Sequence, residues 1–154
     1  MGSSYAISCK NCDYTKSFKT GIGMMYSPHS LIDFEADAPL LPSLIRSKKS
    51  VDFIKALLAD KGAVIADSYG HEIYRCPKCG EFYGRFFIHL DYDGGSFEVE
   101  YKCHKCKAAL NPIEYDTTEA DGWEGKRISL EKYPCPKCGK HSLYEGGEAY
   151  VLWD

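Results

Sequence analysis

All eight cysteines of the 154-residue chain occur in Cys-x-x-Cys pairs: Cys9 with Cys12, Cys76 with Cys79, Cys103 with Cys106, and Cys135 with Cys138. Two intervening residues let both sulfurs of one tight turn point at a single ion. Two such turns supply a tetrahedral four-cysteine set, which suits Zn²⁺. Four turns therefore predict two sites, two ions per chain, and all eight thiolates as ligands. A disulfide framework is the other common use of eight cysteines, in small secreted domains. It has no reason to place every thiol at the same short spacing. Met1 to Ala6 also lacks the basic stretch and apolar run of a secretory signal. Ala6 breaks the myristoylation pattern, no Asn-x-Ser/Thr acceptor occurs, and no run of about 18 apolar residues offers a membrane span. A cytoplasmic protein is the expectation.

The turns carry further chemistry. Gly80 and Gly139 directly follow the last cysteine of their pairs, where a positive φ turns backbone N–H groups toward sulfur. Asp13 and Lys107 stand at the corresponding places of the other two pairs and suit them less well. Each pair encloses a lysine, namely Lys10, Lys78, Lys105 and Lys137. Four thiolates around a divalent ion leave a double negative charge, which a nearby cation offsets. The same lysines also suit ordinary exposed turns.

Ile73-Tyr74-Arg75-Cys76-Pro77-Lys78-Cys79-Gly80 and Tyr133-Pro134-Cys135-Pro136-Lys137-Cys138-Gly139 resemble the knuckles of zinc-ribbon proteins, a superfamily with rubredoxin-like turns. The resemblance covers the four knuckles and their flanking strands, and leaves out Pro28 to Asp67. It implies zinc as the cofactor, with each ion held between two hairpin knuckles in two tandem ribbons. It implies no activity, because ribbons serve transcription factors, RNA polymerase subunits, ribosomal proteins and enzyme appendages alike.

The pairing of knuckles has to come from the strands, since successive pairs are separated by 63, 23 and 28 residues. Phe86, Ile88, Leu90 and Tyr92 alternate with Phe87, His89 and Asp91. Asp93-Gly94-Gly95 reads as a turn, and Phe97, Val99 and Tyr101 then alternate with polar residues. A hairpin centred on Gly94 sets Cys103 opposite Arg85, which leaves the second and third knuckles offset by roughly 20 Å of strand. The sequential arrangement avoids this offset: Cys9 and Cys12 join Cys76 and Cys79, and Cys103 and Cys106 join Cys135 and Cys138. The alternative pairs the inner knuckles with each other and the outer knuckles with each other.

Elsewhere Tyr14, Phe18, Ile22, Met24 and Tyr26 share one parity, which predicts a strand bent at Gly21 or Gly23. Pro28, Pro39 and Pro42 punctuate an irregular segment that includes the acidic Asp33, Glu35 and Asp37. Ser50 is the expected cap of the only clear helix, Val51 to Asp60, with Val51, Ile54, Leu57 and Leu58 as its apolar stripe and Gly62 as its stop. Short strands are expected at Ala63–Ala66, Ile113–Tyr115 and Arg127–Leu130. Residues 117–126 read as a polar loop, and Leu143 to Trp153 as a terminal hairpin turning at Gly146-Gly147. The predicted fold is mainly β, a small α+β chain. Residues 1–92 would form one zinc ribbon with a helical insertion at about 28–67, and residues 93–154 a second ribbon with the C-terminal hairpin.

Charge and motifs then narrow the function. Eight thiolates and two divalent ions take the formal charge from −3 to −7, adding eight negative charges and four positive. Nucleic acid held by bulk electrostatics asks for a basic protein, so that partner is disfavoured. The densest basic cluster, Arg46, Lys48, Lys49, Lys55 and Lys61, shares its helix with Asp52 and Asp60 and reads as a solvated face. Aromatic residues make up 14%; they suit the covering of thin ribbons better than base stacking, because no basic stripe interleaves with them. The histidines His29, His71, His89, His104 and His141 are scattered, and His104 is redundant beside Cys103 and Cys106. No nucleophile motif, P-loop or dinucleotide fingerprint is present, so no enzymatic activity is expected. The residues predict a zinc-binding structural or interaction module that acts as a protein-binding adaptor. The alternatives are a nucleic-acid-binding ribbon, a redox-sensitive zinc switch, and a rubredoxin-like electron carrier with iron in place of zinc.

Overall fold

A computed structural model describes residues 2–116, 127–146 and 152–153. The chain opens with β1 (Gly2–Cys9) and β2 (Thr15–Gly21), followed by the helices α1 (Pro28–Leu31), α2 (Leu40–Ile45) and α3 (Lys48–Asp60). Then come β3 (Val64–Ile65), β4 (Gly70–Arg75), β5 (Phe82–Phe87), β6 (His89–Tyr92) and β7 (Gly95–Glu98). Short strands finish it: β8 (Asn111–Pro112), β9 (Tyr115–Asp116), β10 (Arg127–Ile128), β11 (Leu143–Glu145) and β12 (Leu152–Trp153), with a 3-10 turn at Leu130–Lys132. The predicted class holds, since the chain is a small α+β protein built mainly of antiparallel strands.

One three-stranded unit occurs twice. β1 and β2 pair from Gly2 opposite Gly21 to Ser8 opposite Thr15, with the first knuckle as their turn, and β11 lies on the other edge of β1 with Leu143 opposite Cys9. β4 and β5 pair from Gly70 opposite Phe87 to Arg75 opposite Phe82, with the second knuckle as their turn, and β8 lies on β4 with Asn111 opposite Arg75. In both units a late strand returns to the first strand of a hairpin. One unit is inserted in the sequence of the other. They join where Gly21 pairs with His71, giving the path β11-β1-β2-β4-β5. The join needs a bare backbone, because a Cβ on Gly70 would stand 3.1 Å from the Gly21 carbonyl oxygen.

Three apolar clusters form among the described residues. Ile7, Phe18, Ile73, Phe82, Ile128, Leu130 and Leu143 pack between the two units. Leu31, Leu41, Ile45, Val51 and Ile54 of the helical segment pack on Ile65, Phe86, Ile88, Leu90 and Val99, so the insertion is the cover of a second sheet, β3-β6-β7. Tyr74, Tyr83 and Leu110 surround the inner knuckles. Many aromatic rings thus supply flat area to a shallow interior.

Several local expectations are corrected. The helix starts three residues early, at Lys48, because the Ser47 hydroxyl accepts from the Ser50 N–H at 3.3 Å, so Ser47 is the cap and Ser50 lies within the first turn. Two short helices precede it, each opened by a proline. The strand after the first knuckle stops at Gly21, whose φ is +77°, and Met24 and Met25 beyond it lie exposed. Among the described residues Leu143–Glu145 and Leu152–Trp153 do not pair with each other as the expected terminal hairpin requires. β11 and β12 both pair antiparallel with β1, so they run in one direction along its edge, although part of the expected turn lies outside the described residues. The polar loop expected at 117–126 also lies outside them. Among the described residues no helix is long and apolar enough to cross a membrane.

Two outcomes test these local readings. Ser47→Ala should cost about 1 kcal/mol in a denaturant melt while Ser50→Ala costs much less; equal losses would restore Ser50 as the cap. His89 sits across the β6–β7 hairpin, 3.1 Å from both Glu98 and Asp91, and these partners raise its pKa above the ordinary 6.5. The charged ring therefore adds stability that is complete below about pH 6.5 and fades as pH climbs through the raised folded value. A ring titration by NMR should give a midpoint above 6.5, and a midpoint below it contradicts the contacts.

Candidate metal centres

The first two knuckles are turns between paired strands, the third is closed by a bridge between Lys102 and Ala109, and the fourth lies between the 3-10 turn and β11; three of the four share one conformation. In the second, the Cys76 N–H donates to the Glu81 carbonyl and the Gly80 N–H returns to the Cys76 carbonyl at 3.0 Å. The third repeats this with Cys103 to Ala108 and Lys107 to Cys103, and the fourth with Cys135 to Lys140 and Gly139 to Cys135. The returning residue is left-handed each time, with φ of +78° at Gly80, +60° at Lys107 and +76° at Gly139. Lys107 thus adopts the conformation despite its side chain. The first knuckle closes by Cys9 N–H to Tyr14 O without a left-handed residue at Asp13. Amide groups face sulfur as these turns require: Asn11 N to Cys9, Cys79 N to Cys76, and Lys137 N to Cys135, all at 3.4 Å.

The eight thiols gather into two sets, each with its sulfurs within 4.8 Å of one another and each able to hold a metal ion. Cys9, Cys12, Cys135 and Cys138 make the outer set, and Cys76, Cys79, Cys103 and Cys106 the inner one. This is the nested arrangement, and it overturns the sequential pairing that a straight hairpin favours. Each set draws one pair from before residue 92 and one from after it. The expected offset between the second and third knuckles requires one straight ladder, and the chain bends instead. β5 leaves β6 at Ile88 to pair with β4, β7 stops at Glu98, and β8 carries the third knuckle back onto β4. Cys103 therefore meets Cys79, their sulfurs 3.6 Å apart, rather than standing opposite Arg85, whose Nη2 lies 3.1 Å from His104 Nε2 instead.

The sulfur spacings fit a common ion. Four sulfurs at about 2.3 Å from a tetrahedral centre stand about 3.8 Å apart. Across the outer set, Cys9–Cys138 and Cys12–Cys135 are 3.7 and 3.5 Å apart; across the inner set, Cys79–Cys103 and Cys76–Cys106 are 3.6 and 3.1 Å apart. None is at the bonding distance of a disulfide. In each set one buried first-position sulfur receives a hydroxyl, from Ser142 to Cys9 and from Tyr83 to Cys103, both at 3.2 Å. The Ser142 bond is the main influence that lowers the Cys9 thiol to about 6. Burial raises Cys103, but the Tyr83 hydroxyl and the Cys106 and Lys105 amides outweigh it and lower the thiol to about 5. The other thiols cannot all follow. Cys12 gains from the Tyr14 amide, yet burial and its neighbours Cys135, Cys9 and Cys138 push it up to about 12. Crowded thiolates repel, and a divalent cation is what reverses that.

Carboxylates tie the paired knuckles together. Lys137 of the fourth knuckle is paired with Asp13 beside the first, and Lys105 of the third donates to Glu81 Oε2 beside the second at 3.2 Å. Two of the four knuckle lysines therefore bridge within their own set. Glu81 also joins the two sets, because its Oε1 accepts from the Tyr14 hydroxyl at 2.8 Å and the Phe82 N–H at 3.0 Å. Ser142, Tyr83 and Glu81 carry no motif, and their roles depend on positions that only the fold creates. Asp13 and Glu81 follow the first two knuckles in sequence, but all four knuckles enclose a lysine, so charge alone does not mark the nested pairing.

The left-handed positions make a paired test. Gly139→Ala meets no atom within 4 Å, so its cost is purely conformational and should be about 1 kcal/mol. Lys107→Gly releases the strain of a side chain in that region and should gain up to about 1 kcal/mol after the entropy cost of glycine. Denaturant melts of the metal-loaded variants read both, and a shared sign would contradict the turn geometry. Comparison of the chain with protein-family models, with curated proteins and with solved structures finds no match.

Proposed function

We propose that the chain is a metal-organised interaction module with two structural four-cysteine zinc centres, one in each of two nested zinc ribbons, and that it works as a protein-binding adaptor. The observation that carries this is the gathering of all eight thiols into two four-sulfur sets. A set of four protein sulfurs leaves no coordination position for water or substrate, which is the arrangement of a structural rather than a catalytic ion. Zinc is favoured by the tetrahedral, all-sulfur chemistry; iron would fill the same positions. Contact with a protein is supported by Met24 and Met25, adjacent apolar side chains that are 76% and 70% exposed after β2. In this reading the ions act on the fold, and each contributes on the order of 10 kcal/mol of folding free energy.

Elemental analysis of the purified protein should give about two ions per chain, mostly zinc and without the visible colour of iron. Cys138→Ser should retain about one ion. In that variant hydrogen exchange should speed up in β1 and β11 and stay slow in β4 and β5, because only the outer set is broken. Fewer than one ion per wild-type chain, with thiols oxidised in pairs, would sink the proposal. Faster exchange at the third knuckle in Cys138→Ser would revive the sequential pairing.

A further inference from the structure

Between the helical segment and the inner unit lies a cleft of about 550 Å³. Its charge runs against that of the chain, which has 19 Lys and Arg against 22 Asp and Glu. Lys19, Arg46, Arg85 and Lys102 line it together with His71 and His104, and among the described residues no carboxylate does. These side chains come from β2, the α2–α3 junction, β4, β5 and the third knuckle. The four cations among them, Lys19, Arg46, Arg85 and Lys102, come from four separate segments; like charges so assembled repel one another, and an anion is what relieves that. Among the described residues, Arg46, Arg85 and Lys102 make no ion pair.

Arg85 is held in place. Arg85 Nη1 donates to the Gly84 carbonyl at 2.8 Å and Nη2 to His104 Nε2 at 3.1 Å, while the guanidinium lies 5.0 Å from the Tyr83 ring centre. Arginine only donates, so His104 Nε2 is the acceptor of this bond. Arg46 closes α2 with φ +63°, a left-handed position that glycine or asparagine takes more easily, and its exposed cationic side chain lines the cleft. Ser47 caps the 13-residue α3 and also lines the cleft, so the positive end of that helix adds to the field. Burial, followed by the charge of Lys19, pushes His71 below its ordinary pKa, which keeps a neutral donor and acceptor among the cations.

The remaining lining mixes the hydroxyls of Ser43 and Ser47 with aliphatic Leu44 and Ile45 and the aromatic rings of Tyr26, Tyr101 and the nearly buried Phe86. A cationic lining that also includes two partly exposed tyrosines, within the size range of small-molecule sites, fits an anion that carries a ring. We propose that this cleft binds a small phosphorylated ligand of the nucleoside phosphate class. Phosphate oxygens would meet the Arg85 fork and the Arg46 and Lys102 charges, and the base would lie toward the tyrosines. A long nucleic acid fits less well, because outside the cleft the chain is still more acidic than its total of −3.

Calorimetric titration of the metal-loaded protein tests this at about 150 mM salt. The probes are ADP, inorganic pyrophosphate and a short single-stranded RNA. ADP should bind one site per chain in the range of about 10–100 μM, with pyrophosphate at least several-fold weaker. Arg46→Glu and Lys102→Glu should each weaken ADP binding about tenfold. Arg85→Lys should weaken it several-fold by losing the fork while keeping the charge. Lys49→Glu, the same charge reversal outside the cleft, should leave the affinity within about twofold. Metal content matching the wild type secures each comparison, and Arg46→Glu lies far enough from the cysteines to be read even where Lys102→Glu loses metal. The proposal is overturned by no ADP binding up to about 1 mM, by RNA binding tighter than ADP, or by equal losses in Lys49→Glu and Arg46→Glu.

Discussion

Convergence of the eight thiols into two sets, one nested inside the other, is the constraint on which the remaining geometry depends. The outer set brings Cys135 and Cys138, near one end of the chain, against Cys9 and Cys12 near the other. Everything between must therefore leave and return to one place. That looks costly, but loop closure grows only logarithmically. The outer loop is roughly five times longer than the inner one and costs only about 1.5 kcal/mol more. Nesting is therefore nearly free once the local turns are right, and it places the inner unit beside the outer one, where Gly21 meets His71. The long first gap between knuckles is then the ordinary consequence of one unit interrupting another, with a helical cover added.

What was legible in the sequence was what short-range chemistry determines. All eight candidate ligands, the mainly β class, the helix with its Val51, Ile54 and Leu57 stripe, and the β6–β7 hairpin follow from spacing and periodicity within a dozen residues. The pairing of knuckles was not legible, because it depends on a bend. Ile88 separates β5 from β6, and nothing in the alternation of Phe86, Ile88 and Leu90 marks the place where one ladder ends and another begins. Leu143–Glu145 and Leu152–Trp153 misled for a similar reason. Two short strands separated by glycines look like partners, yet each found a better edge in β1, a strand that polar Ser3 and Ser4 had concealed. The hydroxyl partners of sulfur, Ser142 and Tyr83, were invisible because one sits across from β1 and the other on β5.

Total charge proved a poor guide to local charge. A chain at −3 disfavours phosphate on average, and its densest basic run in sequence lies on a helix shared with Asp52 and Asp60. Folding sorts the charges differently. Carboxylates such as Glu81 and Asp13 are drawn to knuckle lysines, where they brace the sulfur sets. Arg46, Arg85 and Lys102 are left together around the cleft, without acidic partners among the described residues. The pairing of acids with knuckle lysines is thus part of why a cationic cleft can exist in an acidic protein.

The cleft and the inner sulfur set also share parts. Lys102 and His104 flank Cys103, and Arg85 reaches His104 from the strand whose Tyr83 hydroxyl meets the Cys103 sulfur. The cleft wall on that side is therefore the outer surface of the third knuckle. A shift of that turn moves two lining residues and the acceptor that orients Arg85 at once. The helical side is less directly tied, since Arg46 and Ser47 are set by the packing of α2 and α3 on the β3-β6-β7 sheet. A site with one wall on a metal-organised knuckle and the other on an apolar core has its two halves stabilised by different forces. Loss of the inner set would disperse the cations of β5 and the third knuckle while leaving the helical half in place.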